Sequence, residues 1–163
     1  FALEDDTVAM SVCWWWSAFL IPEVRKLLEG LAKDTGGDVI LSGETFGSAI
    51  QDLNYGIEGK AFIAFDISVN GFYLPYDQFC FVCDKYNVKR VPEFYVGPYD
   101  LDKVKTCAKG RTALGAEHIR EGVVVKSTTE KTDPSGRRLI FKYLNDDYLL
   151  GKESGQYIDS TDQ

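Results

Sequence analysis

The 163-residue sequence predicts an α+β domain in which antiparallel strands are flanked by a few helices. Three observations carry this prediction. Apolar residues follow a helical period after Pro22. Strand-forming runs are joined by turn signals, at Asn70 and Gly71 and again at residues 133–136. The composition, 45% hydrophobic and 26% charged, is that of an average globular protein and excludes a disordered chain or a coiled coil.

The first predicted element is a helix that begins at Pro22, because proline is favoured at the first helical position, and that ends at Gly36. Residues 38–42 then form a strand. The glycines that bound residues 43–47 predict a tight turn. Residues 60–69 are rich in β-branched and aromatic side chains and predict a second strand.

Asn70 and Gly71 predict a hairpin turn, after which residues 72–74 return beside the second strand. Residues 76–86 form a helix. Residues 90–96 are extended, because the proline within them disfavours helix in the residue before it.

The last part of the chain contains a short helix at residues 100–107 and a strongly β-branched strand at residues 122–126. A turn at residues 133–136 leads to a paired strand at residues 138–144. The polar tail from Gly151 is expected to be loose.

The cysteine pattern argues against a metal site. Cys80 and Cys83 form a CxxC on the predicted helix, but no second pair follows, and a structural zinc site needs four ligands. They are predicted to be buried core thiols. Reduced thiols and the absence of a signal peptide favour the cytoplasm or nucleus. No apolar stretch reaches the roughly 20 residues that span a membrane, so no membrane partner is expected.

Charge is distributed unevenly along the chain. The net charge is −7, which is not typical of a nucleic-acid-binding protein. Residues 101–142, however, hold ten Lys and Arg against five Asp and Glu, so this segment is +5 and the remainder is −12. A local basic face on an acidic protein can still bind phosphates.

Four short segments each place a polar residue at or beside a predicted strand: residues 42–47 (SGETFG), 62–67 (FIAFDI), 120–126 (REGVVVK) and 139–143 (LIFKY). Their order and spacing resemble motifs III, IIIa, IV and V of the covalent nucleotidyltransferases, the superfamily of ATP-dependent ligases and capping enzymes. The chain particularly resembles the RNA ligases of the Deinococcus-type nick-sealing group. Further cues are residues 46–53, residues 118–126 and the DDYLL sequence that follows motif V.

The resemblance implies an antiparallel-sheet nucleotidyltransferase domain, the ATP-grasp-like adenylation domain of ligases, present in part. Residues 1–152 would form its C-terminal portion and residues 153–163 a polar tail. The implied activity is ATP-dependent sealing of RNA ends or of a nicked duplex. A lysine attacks the α-phosphate of ATP, the AMP moves to an RNA 5′-phosphate, and a 3′-hydroxyl displaces it. The implied cofactors are ATP, which yields AMP, and Mg²⁺ or Mn²⁺.

The resemblance also assigns site residues. Glu44 would accept from the ribose hydroxyls, and Phe65 would stack on adenine. Lys126 and Lys142 would neutralise the AMP phosphate, and Glu121 would bind the divalent metal. Glu121, Lys126 and Lys142 are therefore the catalytic candidates. For each of the five residues a structural interpretation stays open: a solvated acid or lysine or, for Phe65, a core aromatic.

Strand geometry predicts how these residues meet. A hairpin across residues 133–136 would bring Lys142 near Lys126, and two like charges at that distance need an anion between them. Phe65 and Glu44 are expected to join the same pocket. Glu121 can face it only if the backbone turns beside Gly122. Weaker candidates for RNA or phosphate contact are Gln51, His118 and Arg120.

Two departures from the family pattern count against full activity. Many relatives carry a second lysine in motif V where this chain has Leu144. The nucleophilic Lys-x-x-Gly has one near match, at residues 33–36, which lies too close to motif III and is better explained as a helix C-terminus. The nucleophile is therefore expected upstream of Phe1, in a segment that the sequence does not contain, together with an oligonucleotide-binding domain. This chain alone is expected to be inactive.

Two alternatives stay open. The chain could be a non-catalytic nucleotide-binding or interaction module descended from a ligase domain. It could also belong to a DNA ligase or a capping-type nucleotidyltransferase, since those enzymes share the superfamily motifs.

Overall fold

Residues 16–47, 60–114 and 118–153 are described by a computed structural model, and they fall into two units. The first unit, called unit 1, comprises Phe1–Phe46 and Gly59–Val91, and the second, unit 2, comprises Gly47–Glu58 and Pro92–Gln163. Each unit has its own strands and helices and is described by itself.

Unit 1 begins with helix α1, Pro22–Thr35, which follows a short 3₁₀ turn at Ala18–Leu20. Pro22 is the first helical residue, as predicted, and Gly36 ends the helix in the left-handed conformation with φ 65°. Lys33 therefore lies in the last turn of a helix. This confirms that the Lys-x-x-Gly at residues 33–36 is a helix C-terminus.

A three-stranded sheet follows, with strands in the order β1 (Val39–Gly47), β2 (Lys60–Val69) and β3 (Phe72–Tyr73). The β2–β3 hairpin is antiparallel and pairs Val69 with Phe72. Asn70 and Gly71 form its turn with φ values of 51° and 81°, as a two-residue hairpin turn requires.

The tight turn predicted at residues 43–47 is wrong, because β1 continues through them. A side chain at Gly43 would collide with the Phe62 ring and the carbonyl of Ile63 on the neighbouring strand. The glycine therefore marks a close approach between strands, which a sequence pattern does not distinguish from a turn.

The core of unit 1 lies between β2, α1 and helix α2, Tyr76–Tyr86. Its fully buried side chains include Leu27, Ile67 and Cys83. Burial raises the pKa of the Cys83 thiol to about 12, so this thiol stays protonated. The predicted core position is thus confirmed for Cys83, whereas Cys80 is half-buried and accepts a hydrogen bond from Arg90 Nη1 at 3.0 Å.

Unit 2 contains helix α3 (Leu101–Ala108), strands β4 (Gly122–Lys126) and β5 (Ile140–Leu144), and helix α4 (Asp146–Glu153). Asp100 caps α3 by accepting from the backbone N–H groups of Asp102 and Lys103. β4 and β5 form an antiparallel pair, and both strands contact α3.

Two boundaries in unit 2 differ from the prediction. β5 begins at Ile140 and not at residue 138, because Arg138 bridges to Thr132 across the turn. Gly151 lies within α4 and is buried, so the tail is not loose at that residue. Asn145 begins α4 by accepting from the backbone N–H of Asp147, a cap that the sequence analysis missed. Residues 154–163 lie outside the described ranges.

Candidate nucleotide and metal site

The β4–β5 hairpin places Lys126 and Lys142 on the same face. Lys142 is paired with Val124, and Lys126 is paired with Ile140. Residues that face each other across an antiparallel pair share a side, and so do residues two apart on one strand. The two lysines are therefore diagonal neighbours, as the hairpin prediction requires.

Glu121 lies immediately before β4 and faces the same side, because its Oε2 accepts from Lys142 Nζ at 3.1 Å. The lysine side chain is 53% exposed and the carboxylate 36%, so water and ligands can reach both groups. In the structure the charge beside Lys142 is this carboxylate. Glu121, Lys126 and Lys142 thus come together within unit 2.

Gly122 permits this arrangement. A Cβ at this position would collide with the Tyr143 carbonyl and approach Leu144 Cα to 2.9 Å, so β5 lies too close for any side chain here. The backbone can then leave the strand at Glu121, and the backbone N–H of Asn145 donates to the Glu121 carbonyl at 2.8 Å. The contact with Lys142 brings the Glu121 carboxylate to that lysine, and its place in a nucleotide pocket stays a prediction.

Arg120 has a structural environment instead of a phosphate-binding one. Its Nη1 donates to the carbonyls of Cys107 and Lys109, and its Nη2 donates to the carbonyl of Arg111 at 3.0 Å. The guanidinium also stacks on Phe94, 3.7 Å from the ring centre. Burial lowers its pKa. The guanidinium holds the chain after α3 in place, and its contact with RNA or phosphate stays a prediction.

The other weak candidates add little. His118 Nδ1 lies 2.9 Å from the Ile119 carbonyl, a contact that ties the ring to its own backbone. Gln51 lies outside the described residues.

Phe65 and Glu44 belong to the sheet of unit 1. Phe65 is 40% exposed, although Ile63 and Ile67, two residues before and after it on the strand, are buried. Phe62 packs against the core cluster, so it is the core aromatic of this strand, as expected. Glu44 is exposed on β1. The predicted convergence of these two residues with the lysines of unit 2 stays a prediction.

A divalent metal fits Glu121 as a single carboxylate ligand. Among residues 16–47, 60–114 and 118–153, no group of three or more His, Cys, Asp or Glu could hold a metal ion. Mg²⁺ is commonly bound through one or two carboxylates together with substrate phosphates and water, which needs no such group. The half-buried Glu121 carboxylate, which water and ligands can reach, suits that type of site.

A cleft of about 210 Å³ lies elsewhere in unit 2. It is lined by Lys105, Ala108, Lys109, Tyr143, Asn145 and Asp146. Tyr143 alternates with Lys142 on β5, so the cleft opens on the other side of the hairpin and contains none of the five predicted site residues.

Asn145 is the residue beside the site that the sequence analysis missed. It is 1% exposed, and its Nδ2 donates to the Arg120 carbonyl at 3.0 Å. Its cap of α4 leaves a signal in the sequence, since asparagine before two acidic residues is typical of a helix start. Its bond to a residue 25 positions away leaves none.

Comparisons with known proteins identify the family and the fold. A family model described as RNA ligase matches residues 4–144. A Naegleria gruberi RNA ligase structure with PPi is 25% identical, with a TM-score of 0.61 over 79% of this chain and 38% of that chain. A mutant of that ligase with ATP and Mn has 23% identity and a TM-score of 0.66 over 85% of this chain and 40% of that chain. A further mutant, with AMP and Mn, has 24% identity and a TM-score of 0.58, covering 77% and 38% of the two chains.

These matches confirm the predicted fold class, a mixture of helices and antiparallel sheet that corresponds to part of a ligase domain. The chain spans about 40% of the length of the solved ligases. No match was found among curated proteins. Within the described ranges no helix is both long and apolar enough to cross a membrane.

Proposed function

Because this chain belongs to the RNA ligase family, we propose that it supplies nucleotide-binding and metal-binding residues of an ATP-dependent RNA ligase. The enzyme joins 3′-hydroxyl and 5′-phosphate RNA ends or seals a nicked duplex, through lysyl-AMP and RNA-adenylate intermediates. The observation that carries the proposal is the meeting of Lys126, Lys142 and Glu121 on one face of the β4–β5 hairpin. Two ammonium groups and a carboxylate are the charges that a phosphate and its metal require.

Lys126 and Lys142 bind the phosphate that joins AMP to its partner. Phosphoryl transfer depends on positioning and on neutralising negative charge, and diagonal lysines on one strand pair supply both. Lys142 Nζ already contacts one anion, Glu121 Oε2 at 3.1 Å, so the same ammonium can donate to a phosphate oxygen.

Glu121 holds the divalent ion, Mg²⁺ or Mn²⁺, which when bound supplies positive charge to the phosphate oxygens. The carboxylate is half-buried at the start of β4, so it is oriented by the protein and still reachable.

Phe65 and Glu44 bind the nucleoside in this proposal. The partly exposed phenyl ring of Phe65, next to buried residues of β2, can stack on adenine, and the exposed Glu44 carboxylate can accept from ribose hydroxyls. We include in the proposal membership of the Deinococcus-type nick-sealing group, based on residues 46–53 and 118–126, and a location in the cytoplasm or nucleus.

The nucleophilic lysine is not assigned to a residue of this chain. Lys33 is exposed in the last turn of α1, without the desolvated environment that activates a lysine. This observation, with Leu144 in place of a lysine, favours the second candidate function: a non-catalytic module that binds nucleotide.

The last chemical step tests the proposal, because it does not need the nucleophile. A nicked RNA duplex whose 5′-phosphate already carries AMP is incubated with the chain and Mn²⁺, and joined strands are separated on a denaturing gel. The inactivity expected of the chain alone concerns the adenylation steps, which need the nucleophile. In this last step we expect joining by the wild-type chain and at least a hundredfold loss in Glu121→Gln and Lys142→Ala. Lys33→Ala is the matched control and should join normally.

The other outcomes of this experiment distinguish the RNA ligase from the alternative functions. AMP binding without joining would support the non-catalytic module. Equal joining of an adenylated DNA nick would support the DNA ligase alternative. A folded chain that neither joins the nick nor binds AMP would contradict the proposal.

A further inference from the structure

Asn145 connects the residues before β4 to the end of β5. Its backbone N–H donates to the Glu121 carbonyl at 2.8 Å, and its side-chain Nδ2 donates to the Arg120 carbonyl at 3.0 Å. Its Oδ1 accepts from the backbone N–H of Asp147 at 3.2 Å, where α4 begins. With 1% exposure, it is among the most buried polar side chains in the described part of the chain.

We propose that Asn145 is a positioning residue that holds the Glu121 carboxylate toward the divalent metal. The inference rests on the proposed function, in which Glu121 binds that metal. Asn145 does not touch the metal or the nucleotide. It acts through the two peptide groups, those of Arg120 and Glu121, from which the carboxylate projects.

The need for positioning follows from Gly122. Gly122 is the first residue of β4 and pairs with Leu144, so Glu121 lies just outside the strand pairing that would otherwise fix its backbone. Rotation there would move the carboxylate away from Lys142, which it contacts at 3.1 Å. Two hydrogen bonds from Asn145 oppose that rotation.

The Arg120 peptide is held from its other side as well. The Arg120 guanidinium donates to the carbonyls of Cys107 and Arg111. Asn145 then fixes the Arg120 carbonyl. The peptide groups on both sides of the Glu121 Cα are thus held by hydrogen bonds, and the side chain of Glu121 projects from this fixed backbone.

The chemistry of asparagine explains its use at this position. The bond to Arg120 needs a donor and the cap of α4 needs an acceptor, and an amide of this size supplies both. Serine would keep the cap, since it is an equally good N-cap residue, but its shorter hydroxyl cannot replace the bond to Arg120. Asn145→Ser therefore separates the two roles.

Binding of Mn²⁺ to the ATP-loaded chain tests the inference, with free Mn²⁺ measured by electron paramagnetic resonance. We expect Asn145→Ser to raise the Mn²⁺ Kd about tenfold, the size typical of groups that orient a metal ligand. Glu121→Gln gives the largest effect and sets the scale. Val104→Ala, which removes a buried side chain from α3 in the same unit, is the control for general destabilisation and should leave the Kd unchanged.

A lower Tm in Asn145→Ser with an unchanged Mn²⁺ Kd would overturn the inference and leave Asn145 as a structural residue. If Glu121→Gln also leaves the wild-type Kd unchanged, the metal role in the proposed function fails, and the inference fails with it. A raised Kd in Val104→Ala of the same size would show that any loss of stability weakens the site, and would also overturn it.

Discussion

The two units hold their proposed site residues by different means. In unit 1, Phe65 and Glu44 lie on a sheet backed by a buried apolar cluster that includes Leu27, Ile67 and Phe79. In unit 2, the buried apolar side chains among the described residues are Val104, Ala108 and Tyr148. There, Glu121 and Lys142 form an ion pair, and the backbone carbonyl of Glu121 accepts from Asn145.

The polar contacts of unit 2 are concentrated around the hairpin. Arg138 forms a two-pronged pair with Glu130, at 2.9 Å and 2.6 Å, and Asp133 accepts from Ser135 and Arg137 in the turn. Arg120 and Asn145 fix the start of β4. Apolar packing is tolerant of small shifts in direction, whereas a hydrogen bond fixes both a distance and an angle. The comparison teaches that the surface proposed to bind the base depends on packing, and that the face proposed to bind the phosphate depends on polar geometry.

The largest expected effect is the complete absence of a covalent adduct with AMP. It tests whether unit 1 only supports the fold or also supplies a nucleophilic lysine. The chain should form no covalent AMP adduct when incubated with labelled ATP and Mn²⁺ and run on a denaturing gel, because Lys33 is an exposed residue at the end of α1. A labelled band that disappears in Lys33→Ala would contradict both the prediction and the helix-terminus interpretation.

A pair of substitutions on β2 tests the packing side of the comparison. Phe62→Ala should lower the free energy of unfolding by about 2–3 kcal/mol, because this ring packs against the core. Phe65→Ala should lower the free energy of unfolding by less than about 1 kcal/mol. It should still weaken AMP binding roughly tenfold, because the ring that stacks on the base is removed. Urea unfolding and AMP titration measure the two quantities. Equal destabilisation by both variants would mean that Phe65 is a core residue.

Arg120→Lys tests the polar side. A lysine keeps the charge but cannot donate to separate carbonyls in a fixed fork, so we expect a loss of about 2 kcal/mol in the free energy of unfolding. Amide exchange should show faster opening at residues 107–111. Arg137→Lys is the control, because its side chain is 82% exposed and its ion pair with Asp133 contributes about 0.5 kcal/mol or less. Similar losses in the free energy of unfolding of both variants would argue against a specific stabilising role for the Arg120 guanidinium.

The smallest effect expected is a pH dependence in the β4–β5 turn. The Ser135 hydroxyl, and then the groups of Arg137, lower the pKa of the Asp133 carboxyl. Its stabilising contribution is therefore complete above the unfolded value of about 3.9 and is lost as the pH falls through the lower folded value. The Gly136 amide resonance should shift in that acid range in the wild-type chain and not in Asp133→Asn. A wild-type profile that matches the variant would show that the carboxylate does not organise the turn.

The sequence predicted the packed unit better than the polar one. The bounds of α2, the start of α1 and the turn at Asn70 depend on local patterns, and these were correct. The extension of β1 through Gly43 was missed, because the glycine is required by the ring of Phe62 on another strand. Local patterns carry no information about such a contact.

The candidate site shows the same limit. The hairpin pattern sufficed to place Lys126 and Lys142 on one face. The functions of Arg120 and Asn145 were not predictable, because Arg120 binds carbonyls 9 to 13 residues away and Asn145 binds a carbonyl 25 residues away. A basic residue in a motif suggests contact with phosphate. The fold shows that the Arg120 guanidinium instead donates to backbone carbonyls of unit 2.

The ion pair between Lys142 and Glu121 makes the two ligands of the proposed site thermodynamically dependent on each other. A cation that approaches Glu121 competes with the ammonium, and a phosphate that approaches Lys142 competes with the carboxylate. A metal ion or a phosphate that binds alone must break the ion pair and leaves one of its charges unpaired. When both bind, the ion pair is broken once, and Glu121 and Lys142 each gain an opposite charge. Metal and nucleotide should therefore bind with positive cooperativity, each raising the affinity for the other by the same factor.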